Sequence, residues 1–155
     1  MALEDDIRFF AQVPTLGILG DQALRILAIG AEMRFLPKNT VLFHAGDLAD
    51  CGYIVQDGSF ELEPTAPVGG EIVVAGPGTL LGEIALMVDT VRPATATARE
   101  PSTVLRVPRS LFLKMLEGYP DAARRLRDSF AARTDQWSRE LNNVRMALDS
   151  GGRVR

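Results

Sequence analysis

Apolar positions along this chain change their period twice. Leu3, Ile7 and Phe10 recur at helical spacing, and Glu4, Asp5 and Asp6 fill the first turn, where the helix dipole favours acids. This predicts a short amphipathic helix ending before Pro14. A second helix is predicted from Asp21, read as its N-cap, with Leu24, Leu27 and Ala28 on the apolar side. From Met33 to Val107 the period shortens to that of strands. Turn residues fall at Pro37-Lys38-Asn39, Gly46-Asp47, Asp57-Gly58, Gly69-Gly70, Gly76-Pro77-Gly78 and Arg99-Glu100-Pro101. Between them lie Val41 to His44, Tyr53 to Gln56, Ser59 to Glu63, Glu71 to Ala75, Ala94 to Ala98 and Thr103 to Val107. In the third of these, Phe60 and Leu62 alternate with Ser59, Glu61 and Glu63, as in a half-buried strand. The expected fold is mainly β with flanking helices: an eight-stranded antiparallel jelly-roll barrel.

After Pro108 the helical period returns. A short helix from Arg109 to Glu117 breaks around Gly118-Tyr119-Pro120, and a longer one is predicted from Asp121 to about Leu148. In the longer helix Phe130, Thr134, Trp137, Leu141, Val144 and Leu148 follow steps of four and three, the seam of a coiled coil. A parallel homodimer through this helix is the expected assembly. The division that follows places helices in 1–32, a β-roll in 33–107, a hinge helix in 108–119, a lid or dimerisation helix in 120–149 and a flexible tail in 150–155.

Composition narrows the function. At 155 residues and 46% hydrophobic content the chain can bury one good core. No apolar run approaches the roughly 20 residues that span a bilayer, and the acidic start Met-Ala-Leu-Glu-Asp-Asp does not read as a signal peptide. A cytoplasmic protein with no membrane contact is expected. The single cysteine, Cys51, excludes an internal disulfide, and with the single histidine, His44, it cannot build a conventional zinc site. No metal and no cofactor is expected, and no Ser/His/Asp set suggests an enzyme. Net charge is −3, but residues 1–120 hold nine Lys/Arg and fifteen Asp/Glu while residues 121–155 hold eight Arg and five acids. The basic tail, interleaved with acids, reads as solvated helix faces rather than a nucleic-acid patch.

One stretch carries chemistry. Leu80-Leu81-Gly82-Glu83-Ile84-Ala85-Leu86 is followed, ten residues after the glycine, by Arg92-Pro93-Ala94-Thr95-Ala96. Gly82 lets a ligand approach the main chain closely. The amides of Glu83, Ile84 and Ala85 open a short helical turn whose free N–H groups suit phosphate oxygens. Arg92 is the only basic residue between Glu71 and Arg99, and its planar guanidinium can close on the same phosphate. Glu83 cannot favour an anion, but it can accept hydrogen bonds from a sugar hydroxyl. Together these residues suggest a sugar phosphate or nucleotide.

This arrangement resembles the phosphate-binding cassette of the cyclic nucleotide-binding domain, shared by the bacterial catabolite activators and the eukaryotic kinase regulatory subunits. Leu42 to Asp47 followed by Tyr53 to Gly58 also resembles that family's early strands, so the resemblance covers nearly the whole chain. It implies that Leu81, Gly82, Glu83, Ile84, Ala85, Arg92, Pro93 and Ala94 form a cyclic nucleotide site. Glu83 would meet the ribose 2′-hydroxyl, and Arg92 with amides near Ala85 would meet the cyclic phosphate. Counting along the long helix, Trp137 and Ser138 fall where the catabolite activators reach the adenine; Trp137 could equally be a dimer-core aromatic.

Pro93 departs from the family pattern. The usual Ala, Ser or Thr supplies a backbone N–H to the phosphate, and proline has none. It also supplies no hydroxyl of the kind that favours cyclic GMP in some relatives, so cyclic AMP is expected before cyclic GMP. The catabolite activators continue into a helix-turn-helix, which is not expected after Ser150-Gly151-Gly152. The expected protein is a regulatory sensor that signals through its C-terminal helix to a downstream protein, with no direct DNA binding. Two alternatives stand beside it: a transcription regulator of the same family acting on DNA only through a partner, and a dimerisation module with a degenerate pocket.

Overall fold

The computed structural model describes residues 2–64 and 72–133. Two helices lead the chain, α1 (Ala2–Ala11) and α2 (Asp21–Gly30). Ten strands follow: β1 (Glu32–Leu36), β2 (Val41–Phe43), β3 (Leu48–Ala49), β4 (Cys51–Asp57), β5 (Phe60–Pro64), β6 (Val73–Ala75), β7 (Leu80–Leu81), β8 (Thr90–Val91), β9 (Ala94–Ala98) and β10 (Ser102–Pro108). Helix α3 (Arg109–Gly118) comes next, and after Tyr119 the chain is helical again over 120–133, termed α4. Trp137, Ser138, most of the coiled-coil seam and the tail lie outside the described residues.

Among the described residues every strand pairing is antiparallel. The expectation of a mainly β protein with flanking helices therefore holds. Among the described residues the ladders form two four-stranded sheets, β1-β10-β4-β7 and β2-β9-β5-β6, with a separate ribbon β3-β8. Among the described residues ten strands are defined, and no ladder joins the two sheets into the expected barrel. Three of the ten, β3, β7 and β8, are two residues long, too short to show a period in the sequence.

The two long central strands explain the layering. In β4, Cys51, Tyr53 and Val55 point to one face and Ile54 to the other, and all are buried. In β10, Val104 joins the first face while Leu105 and Val107 join the second. The first face meets Phe60, Ala96 and Ala98 of the opposing sheet; the second is covered by Phe10, Leu24 and Leu27 of α1 and α2 and by Phe112 and Met115 of α3. A strand buried on both faces loses the alternation of a surface strand and becomes continuously apolar. In β9 the alanines Ala96 and Ala98 face inward and the threonines do not, so the small residues make room for Phe60.

Three local expectations change. The N-cap of α2 is Gly20, not Asp21, which is the first helical residue. The break before α4 narrows to Tyr119, with Pro120 already helical, as suits proline in a first turn. Ser59 is buried rather than solvent-facing, because its hydroxyl donates to Glu100 and its amide to Ser102 Oγ. That cluster fixes the β4–β5 turn, where Gly58 sits at φ 85°. A Cβ on Gly58 would overlap Ser102 Oγ and lie 2.7 Å from Ser102 Cα. Gly58→Ala is therefore expected to destabilise the fold by about 2–4 kcal/mol, measured by urea unfolding, since left-handed strain of about 1–2 kcal/mol adds to a backbone clash.

Candidate functional site

The turn after β7 is shaped by Gly82, which takes φ 86° and redirects the chain into a single 3-10 turn, Ile84–Leu86. Ala85 and Leu86 are fully buried, and Leu86 is part of the core beneath the helices. Burying such a leucine contributes about 1.5–3 kcal/mol, so the turn is pinned from below. The Ala85 amide donates to the Gly82 carbonyl at 3.1 Å and the Leu86 amide to the Glu83 carbonyl at 3.2 Å. The Ala85 N–H is thus spent within the turn, a correction to the expected cradle. The amides of Glu83 and Ile84, at the turn's opening, are the ones left to a ligand.

Arg92 returns to this turn from β8. Its backbone is clamped on both sides: its N–H donates to Asp47 O and its carbonyl accepts from Gly46 N–H, each at 2.8 Å. Its side chain is buried, with 4% of the residue exposed. Nη2 donates to the Cys51 carbonyl at 2.9 Å and lies 3.3 Å from Cys51 Sγ. The guanidinium carbon stands 4.5 Å from the Phe43 ring centroid and 5.4 Å from that of Tyr53, and the two rings stack at 6.0 Å. Burial, then the neighbouring Cys51, pushes the Tyr53 phenol above its ordinary value, so the ring beside the cation stays neutral.

Nη1 is buried with no hydrogen-bond partner, and among the described residues no carboxylate lies within salt-bridge reach of Arg92. Nη1 lies against Gly82, where any Cβ would overlap it. Both residues line a cavity of about 290 Å³ whose other walls are Ala49, Glu83, Ile84, Ala85, Thr90, Val91 and Pro93. A buried cation with an unmet donor is costly unless an anion completes it. Cavity, cation and free amides together make an anion site.

Six of the eight expected cassette residues, Gly82, Glu83, Ile84, Ala85, Arg92 and Pro93, are brought around this cavity. Leu81 and Ala94 are not. Leu81 is buried in the inter-sheet core, and Ala94 is the first residue of β9, paired with Pro64. Glu83 is present, but its carboxylate is engaged elsewhere: it accepts hydrogen bonds from Thr15 Oγ1 and, at 3.1 Å, from Arg133 Nη1. Sequence reading missed the residues that hold Arg92, namely Cys51, Phe43 and Tyr53. No local signal marks them, because they reach Arg92 only through the pairing of distant strands. Among the described residues no group of three His, Cys, Asp or Glu could hold a metal, and no helix is long and apolar enough to cross a membrane.

With this geometry in hand, comparison with known proteins is specific. The family model described as the cyclic nucleotide-binding domain matches residues 33–119. An NTE family protein of Mycobacterium bovis is 34% identical over 140 residues, covering 85% of this chain and 24% of its own length. The chain thus spans about a quarter of that relative. The cyclic AMP receptor protein of Thermus thermophilus is 32% identical over 113 residues, covering 72% of this chain and 52% of its own. Among solved structures, the N-terminal domain of a transcriptional regulator from Streptomyces coelicolor superimposes with a TM-score of 0.78 at 27% identity, covering 86% of this chain and 94% of that one.

Proposed function

The chain belongs to the cyclic nucleotide-binding domain family, and from that premise we propose that it is a regulatory sensor module that binds cyclic AMP in preference to cyclic GMP. The observation that carries this reading is Arg92: its Nη1 is a buried guanidinium nitrogen without a partner, and the residue lines the cavity that Gly82 to Ala85 also line. The cyclic phosphate is the anion assigned to it, held also by the amides of Glu83 and Ile84. Glu83 receives the ribose 2′-hydroxyl. Cyclic AMP is preferred because Pro93 offers no hydroxyl to a guanine, and the similarity to a protein named as a cyclic AMP receptor supports the choice. Trp137 and Ser138, beyond the described residues, are the proposed contacts to the base, and the helix that carries them the proposed dimer contact.

No catalytic group is assigned; the output is a change of shape. The contacts of Arg109, which opens α3, support a first step for it. Nε donates to the Ala85 carbonyl at 2.8 Å, Nη1 pairs with Asp89 at 2.6 Å, and Nη2 donates to the Ala49 carbonyl. One side chain therefore ties the cassette turn, the β3–β8 ribbon and the hinge helix together. Tightening of the cassette on a phosphate is felt at the start of α3, and from there by α4.

Titration calorimetry tests the reading. Saturable binding is expected with cyclic AMP, and weaker binding with cyclic GMP; no heat and no thermal stabilisation at about millimolar nucleotide overturns it. The same titration measures Pro93. One amide bond to a charged oxygen contributes about 1.5–3 kcal/mol, but Pro93 also holds Arg92 in an extended conformation. Pro93→Ala is expected to tighten cyclic AMP binding by a net factor of about ten.

A further inference from the structure

Strand β1 has an apolar face that the helices leave bare. Met33 and Phe35 alternate with Glu32 and Arg34, the pattern of a strand with one face buried. Yet Met33 is 67% exposed and Phe35 65%. Met33 lies opposite Leu105 of β10, so both point to the side where α1, α2 and α3 pack. Those helices bury Leu105, but Met33 and Phe35 are outside the core beneath them. Ile29, at the end of α2, is likewise exposed. Strand β1 is also the edge of its sheet: it pairs with β10 alone, and among the described residues no turn or loop hydrogen bond engages the backbone of 32–36. Neither proline nor a bulge guards this edge. Its extended backbone begins one residue earlier, at Ala31, with φ −70° and ψ 146°.

We propose that this edge takes a second copy of the chain, β1 pairing antiparallel with β1 about a two-fold axis at Met33. A two-fold axis perpendicular to the sheet keeps both helical layers on one side, so the patches of Ile29, Met33 and Phe35 adjoin. Residues that face each other then share a side of the sheet, and the axis must fall on a residue rather than between two. Charge and backbone choose which. An axis at Glu32 or at Arg34 sets like charges directly opposite, which is destabilising. An axis at Phe35 runs the ladder into Pro37, which has no N–H, and the turn beyond it. An axis at Met33 places Glu32 opposite Arg34 twice, Met33 opposite itself and Phe35 opposite Ala31. Glu32 has the capacity: its contacts to Arg106 at 3.2 Å and to Arg34 of its own chain at 3.9 Å both use Oε1, and the Arg34 side chain is 50% exposed. The edge is thus complementary to itself, as an isologous contact requires, and backbone hydrogen bonds join the two four-stranded sheets. This contact is separate from the one proposed for the C-terminal helix and independent of the nucleotide reading.

Disulfide trapping of the full chain, without nucleotide, tests both the contact and its register. Facing residues of an antiparallel ladder have Cα atoms about 4.5–5.5 Å apart, within the roughly 4.4–6.8 Å that a disulfide spans. Met33→Cys protein is therefore expected to link into a covalent dimer under mild oxidation, read on a non-reducing gel. Phe35→Cys protein is the control, because the native side chains are equally exposed. In the proposed register its two copies stand about 14 Å apart along the strands, too far to link. Cys51, 2% exposed, should link nothing in the wild type. In the Met33→Cys background, Arg34→Glu should slow linking at least about threefold relative to reaction with a small disulfide reagent, and adding Glu32→Arg should restore it. No link through Met33→Cys overturns the proposal, as does a link through Phe35→Cys that forms as fast. A charge exchange that slows linking as much as Arg34→Glu alone overturns the register and with it the self-complementary edge.

Discussion

Arg92→Met protein is expected to lose cyclic AMP binding by at least about a hundredfold and yet to unfold within about 1 kcal/mol of the wild type. The binding loss follows from the pairing the guanidinium offers: truncating one partner of a buried charge pair costs about 2–5 kcal/mol, and each 1.4 kcal/mol is tenfold. The small stability change follows from opposing terms within the protein. Methionine forfeits the bond to the Cys51 carbonyl at 2.9 Å and the stacking on Phe43 at 4.5 Å, together about 2–4 kcal/mol. It also removes a buried cation whose Nη1 has no partner, a burden of about 1–3 kcal/mol. Methionine is long and flexible enough to fill most of the space. Titration calorimetry and urea unfolding of the two proteins decide the matter. A variant that still binds would remove Arg92 from the site. One that barely folds would make the arginine a structural residue, its orientation toward Gly82 a consequence of packing alone.

The contrast between Arg92 and its supports shows what could be read from the sequence. Gly82, Glu83 and Arg92 lie within eleven consecutive positions, so their joint meaning is carried by spacing. The supports are long-range. Cys51 is 41 residues from Arg92, Thr15 is 68 from Glu83 and Arg133 is 50 from Glu83. Each is placed by topology: β4 runs beside β7 and so brings Cys51 beneath the cassette. A lone cysteine and a half-exposed arginine have no periodic signature. The partners of Glu83 went unread for the same reason, since one comes from the turn after α1 and the other from α4, which the cassette motif does not encode. Strands were legible where one face was buried, as in Phe60–Pro64, and illegible where they span two residues.

This division also clarifies the two ends of the site. On the proposed reading, Arg92 at the phosphate end is a buried cation with an unpartnered Nη1, and Glu83 at the ribose end accepts a hydrogen bond from Arg133. Binding therefore gains at one end and exchanges partners at the other. Substitutions at the first should change how tightly the nucleotide binds.

Gly82→Ala is expected to damage both the phosphate end and the fold, and the order of the two effects is informative. An added Cβ would overlap Arg92 Nη1 and lie 3.2 Å from the Cys51 carbonyl, at φ 86°, where L residues are strained. The guanidinium is the only one of these groups that can give way, because the carbonyl belongs to the paired strand β4. If it moves, Nη2 leaves the Cys51 carbonyl and the anion site loses its cation. Cyclic AMP binding should then fall at least about a hundredfold, as in Arg92→Met. Stability should fall as well, by about 2–3 kcal/mol, from left-handed strain of about 1–2 kcal/mol together with the lost charged hydrogen bond. The double variant Gly82→Ala with Arg92→Met separates the contributions. With the guanidinium gone the overlap disappears, and only the backbone strain should remain, so the two losses of stability should be less than additive by about 1 kcal/mol in urea unfolding. Strict additivity would mean that Gly82 and Arg92 do not meet, and the anion site would have to be rebuilt around another cation.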